Sequence, residues 1–119
     1  MASHPEAARR PLGALGPSIP HSDLAKEAPI PQRAIHSQTL SDEKGVELVL
    51  FAMAAGERLS EHTAARPAIV HFLSGEGDLI VAGDRFSVAP GSWLRMVAGT
   101  RHAITARTDL LFALYLLPG

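Results

Sequence analysis

Histidine has the most chemical reach in this chain, which holds six of them and no cysteine. Without a thiol, a disulfide framework, a thiolate zinc site, an iron–sulfur cluster and a cysteine nucleophile are all excluded. A metal would have to rest on histidine, carboxylate or water. His4 and His21 lie in a proline-rich opening and His36 at the edge of the folded part, so these three read as solvated. His62 and His102 stand in a different setting, each behind a glycine-marked stretch, GERLSEH and PGSWLRMVAGTRH. Two imidazoles brought together can ligate a divalent metal, and a neutral imidazole near pH 7 can accept or donate a proton, as an epimerase or lyase would need.

To converge, the two need elements that bring distant segments to one place. From about residue 32 the chain runs in short apolar stretches broken by Gly, Pro or Asp: 46–54, 67–73, 78–82, 85–88, 92–97, 102–106 and 110–117. His62 is expected at the end of the first long strand. Roughly seven or eight strands at turn intervals of about ten residues predict an all-β sandwich or small closed barrel. Gly83-Asp84 between two apolar strands predicts a two-residue hairpin. Gly75 and Gly77 lie between strands and lack the third glycine and following helix of a dinucleotide site, so they read as a tight turn. Inside a barrel, alternate residues of each strand face inward, which is how an all-β protein assembles a site from remote histidines.

The two glycine-marked segments resemble the two motifs of the cupin superfamily, over residues of roughly 46 to 117. Gly56 and His62 match the opening of the first motif and Gly75 its closing glycine, while Gly83, Pro90, Gly91 and His102 match the second. The resemblance implies a cupin-type double-stranded β-helix, a jelly-roll barrel. It also implies a mononuclear metal site of three histidines and one glutamate, of which His62 and His102 are present. The other two positions hold Ala64 and Ala68. Two imidazoles bind a metal weakly, and the missing carboxylate removes the base that dioxygenase-type members place beside it. His71 lies three residues beyond Ala68, so strand alternation points it to the opposite face, and Glu61 likewise faces solvent.

The expected ligand pocket is formed by His62, Val70, Phe72, Leu94, Met96 and His102, with His62 and His102 as the candidate metal ligands. It suits a small, weakly polar ligand. Trp93 and Arg95 then face outward, where a tryptophan suggests cover by another chain or by the opening segment. Arg101, beside His102, reads as a solvated arginine that could meet an anionic ligand. Three functions are compatible with these residues: a binding module for a small molecule, with one divalent metal (Fe, Mn, Ni or Zn) as a candidate cofactor; a metal-dependent oxygenase or isomerase using His62 and His102; or a dimeric structural or accessory protein.

Composition divides the chain. Six of the nine prolines lie within residues 1–31 and all six aromatics lie after Leu50, which predicts an irregular N-terminal arm over 1–31, flexible or docked, and a barrel over 32–119. Within the arm, Ser22 to Glu27 predicts a capped turn stopped by Pro29. The formal charge of -1 gives no footprint for nucleic acid or an anionic membrane. The start, MASHPEAARR, has no apolar run behind its arginines, and the run at 110–117 is far below the roughly 20 residues of a spanning helix. A soluble, cytoplasmic chain is expected, as a homodimer, because short barrels gain buried area by pairing.

Overall fold

The computed structural model describes residues 21–119 and is built almost wholly of antiparallel strands. One sheet holds β1 (Ile35–Glu43), β2 (Val46–Met53), β4 (Ala68–Ser74), β7 (Trp93–Met96) and β9 (Leu110–Leu116), in the order β1-β2-β9-β4-β7. The other holds β3 (Arg58–His62), β5 (Gly77–Val81), β6 (Asp84–Val88) and β8 (His102–Ala106), in the order β3-β8-β5-β6. The two sheets face each other as a jelly-roll barrel, the all-β architecture expected.

Two strands depart from expectation. The first long strand does not reach His62: the chain turns at Ala55-Gly56, where Gly56 takes φ 85° and donates its N–H to the Ala106 carbonyl oxygen at 2.8 Å, and β3 continues in the opposite sheet. β1 has no apolar run to announce it. Its sequence IHSQTLSDE is mostly exposed because it is an edge strand, fixed by the Lys44-Gly45 turn and its pairing with β2. The β5–β6 hairpin is present with its turn shifted by one residue. Val81 pairs with Asp84, and Ala82 and Gly83 occupy the turn at φ 50° and 89°, the positive angles a two-residue primed turn requires.

The barrel interior is filled by Met53, Val70, Phe72, Met96, Ile104 and Phe112, among others. The Phe112 ring stacks on Phe51 at 4.9 Å and meets Phe72 tilted at 5.3 Å. β2 and β9 bury both faces, which explains why VELVLFAM and LLFALYL read as nearly continuous apolar runs. Their outer residues, Leu48, Leu50, Ala52, Leu111 and Ala113, form a second cluster under Leu24, Ala28 and Ile30. A 3₁₀ turn at Leu24–Lys26 starts this covering segment. Its cap is Asp23, within the capped turn expected over Ser22 to Glu27, and its carboxylate accepts from the Ala25 N–H at 3.1 Å. His21, expected to be solvated, is half-buried and bonds the Glu27 carboxylate at 3.0 Å. The rest of the predicted arm, with His4, lies outside the described residues.

Candidate functional site

β3 and β8 are neighbours, and after a register shift between Leu59 and His62 the two histidines fall directly opposite each other. Their ring centroids are 4.1 Å apart with the planes at 59°. Each ring is held the same way: Nδ1 of His62 lies 2.7 Å from the Ser60 carbonyl oxygen, and Nδ1 of His102 lies 3.0 Å from that of Thr100. A carbonyl oxygen only accepts, so Nδ1 carries the hydrogen in both rings. In the neutral form each Nε2 is then left as an acceptor. The pairing of β3 with β8 is what brings the two motif histidines together.

Their surroundings differ. His62 is exposed, whereas His102 is 6% exposed at the end of a strand whose next inward residue is Ile104. Burial pushes the His102 imidazole below its ordinary value; the Thr100 carbonyl partly offsets this and the neighbouring His62 adds to the lowering. The folded state therefore disfavours the charged ring. The stability this group contributes is complete above its ordinary value of 6.5 and is lost as pH falls below it, because the unfolded chain takes up the proton first. Denaturant titrations at pH 7.5 and 5.5 should show lower stability at the acid value, and His102→Gln should flatten that difference.

The metal positions that hold alanine stay without donors. Ala68 is 1% exposed on the inward face of β4, paired across to Met96 and Leu116. Among the described residues no group of three His, Cys, Asp or Glu side chains is placed to hold a metal ion. His71 pairs with Ala113 and Trp93 on the face opposite Val70 and Phe72, away from the two histidines. Arg101 and Glu61 lie 4.0 Å apart, both well exposed, as the outward orientation of Glu61 implied.

The expected pocket residues do not surround one cavity. Val70, Phe72 and Met96 are buried in the core and Leu94 is half-buried against it, all inward-facing as alternation predicted. A cleft of about 300 Å³ opens between the edge strands β6 and β7, lined by Phe72, Leu79, Phe86, Val88, Trp93 and Leu94 with the serines 87 and 92. Only Phe72 and Leu94 are shared with the expected set, and neither histidine reaches it. Phe86 could have been found from its alternation with Val88. Trp93 was legible as an outward tryptophan in want of cover, but its place at the cleft follows from β7 being the last strand of its sheet.

No protein-family model matches the chain, and no curated protein matches it. Among solved structures, a conserved protein of unknown function from Streptococcus pyogenes is 27% identical, covering 85% of this chain and 91% of that one with a TM-score of 0.75. A cupin superfamily protein from Desulfitobacterium hafniense is 22% identical over 85% of this chain and 95% of that one, at a TM-score of 0.77. An RmlC-like cupin from Desulfovibrio desulfuricans is 19% identical over 85% and 98%, at 0.76.

Proposed function

We propose that this small cupin-fold chain is a binding module that takes a small, largely apolar molecule in its barrel and needs no metal to do so. The cleft between β6 and β7 carries the proposal. It has the volume of a small ligand, about 300 Å³, and its floor is made of core side chains, Phe72 and Leu79. A homodimer accompanies the proposal, because β1 and β3, at the ends of the two sheets away from the cleft, each have one unpaired edge in the single chain. No helix among the described residues is long and apolar enough to cross a membrane.

An iron, manganese, nickel or zinc ion would find two imidazole nitrogens, one each on His62 and His102, and no third protein donor beside them among the described residues. That donor set does not fit a mononuclear site, which keeps three or four protein ligands. No step of an oxygenase or isomerase reaction is assigned to it. Protein purified without an affinity tag should therefore lose its divalent metal on dialysis, and a His62→Ala, His102→Ala double variant should match it in metal content. Stoichiometric metal retained by the parent and absent from the double variant would overturn the metal-free reading.

A further inference from the structure

We infer that the ligand of this cleft is a neutral, flat aromatic molecule of one or two rings bearing a hydrogen-bond acceptor, an inference that rests on the binding-module proposal and adds the ligand's class. The depth of the cleft comes from Phe72, Leu79 and Val88, which are 1%, 3% and 4% exposed. Its rim comes from Phe86 and Trp93, which are 51% and 58% exposed and stand on the free edges of opposite sheets. Phe86 lies beside Leu79 in register, so one ring edges the opening from the β5–β6 side and the indole of Trp93 from the β4–β7 side. Two aromatic groups flanking a slot favour a planar guest, which meets them by offset stacking or edge-to-face contact.

The polar groups narrow the class further. No charged side chain lines the cleft, so a formal charge on the buried part of the ligand would be left unpaired. The Ser92 hydroxyl oxygen already accepts the Ala89 N–H at 3.0 Å, which leaves its hydrogen to donate to a carbonyl or ether oxygen on the guest. The floor is preorganised: Phe72 N–H donates to the Ser92 carbonyl and Gly91 N–H to the Phe72 carbonyl, both at 2.8 Å. A second copy of the chain is a poorer occupant. Phe86 and Trp93, of roughly 150–250 Å² each and about half exposed, are the large apolar side chains at this edge and supply little of the roughly 800 Å² per partner that a stable interface buries.

Trp93 is the only tryptophan, so a ¹H–¹⁵N correlation spectrum of the full chain carries one indole N–H peak, at the rim of the cleft. Coumarin and octahydrocoumarin share a skeleton and an acceptor but only the first is flat. Coumarin should shift the indole peak saturably and bind about tenfold or more tightly than its saturated analogue. Phe86→Ala should weaken coumarin by a similar factor while its remaining peaks stay in place, and Val97→Ala, at an exposed valine elsewhere, should not. Equal binding of the two probes would overturn the aromatic class and leave the binding module standing. Absence of binding by both would overturn both. A sedimentation mass that falls from dimer to monomer in Trp93→Ala would show a second copy over the cleft and overturn the inference.

Discussion

Gly75→Ala should melt roughly 10–30 °C below the parent, while Gly56→Ala should lose about half of that or less. Both glycines adopt positive φ, 84° and 85°, where an alanine costs roughly 1–2 kcal/mol. They differ in what surrounds them. A Cβ on Gly56 meets open space, but on Gly75 it would overlap the Asp109 carbonyl oxygen and crowd the Leu110 Cα. Those are backbone atoms at the start of β9, where Leu110 is paired with Met53, and they cannot swing aside as a side chain would. The crossing is further tied by the Glu76 N–H to the Thr108 hydroxyl at 2.9 Å, and by the N–H groups of Arg107 and Thr108 to the Glu76 carbonyl at 3.0 and 3.1 Å. Overpacking adds about 1–3 kcal/mol to the conformational cost, and a total of about 2–5 kcal/mol is a large share of the 5–15 that hold a domain of this size. Circular dichroism melts of the two variants check the difference; a Gly75→Ala midpoint within a few degrees of the parent would show that the two segments do not cross so closely.

A chain that begins at Gln32 should melt roughly 10–20 °C below the full chain and bind more of a hydrophobic dye than the full chain does. The covering segment contributes Leu24, Ala28 and Ile30 to the outer cluster on β2 and β9. Ala28 is 6% exposed and the other two are half-buried, so their own transfer is worth about 2 kcal/mol. Removing them also returns Leu48, Leu50 and Leu111 to water, which brings the loss to about 2–4 kcal/mol; each kcal/mol moves the midpoint of a domain this size by roughly 4–8 °C. The double variant Leu24→Ala, Ile30→Ala in the full chain should reproduce about half of the shift, which assigns it to these side chains. An unchanged midpoint after the truncation would mean that the segment adds nothing to the fold.

The barrel was legible where burial is periodic. Val70, Phe72, Leu94 and Met96 face the core because successive side chains of a strand point to opposite faces and one of those faces meets the barrel interior, a pattern SWLRM carries openly. The histidine pair was legible through glycines and a proline at set distances, which mark the turns that bring β3 beside β8. β1 escaped because an edge strand exposed to water needs no apolar pattern, and its register is imposed by β2. The turn at Ala82-Gly83 was off by one residue because positive φ falls on an alanine there, a residue type that gives no hint of it. The cleft was illegible for a different reason. Phe86 and Trp93 become neighbours only because their strands end opposite sheets, and sheet order is set by pairings between residues far apart in the chain. The resemblance to known motifs drew attention to the histidine mouth, whereas the open space lies at the side.

The position of β9 has a consequence for how the protein is made. It comes after every other strand in the chain, yet it lies in the middle of its sheet, paired with β2 on one side and β4 on the other. While the ribosome is still adding the residues before Leu110, β1-β2 and β4-β7 can exist only as two separate hairpin-like pairs, each with an apolar edge waiting for a partner. The larger sheet must then close after translation of β9, by inserting the newest strand between two older ones. Until then the facing edges of β2 and β4 are unpaired strand edges, the kind of surface that pairs with other chains unless it is covered.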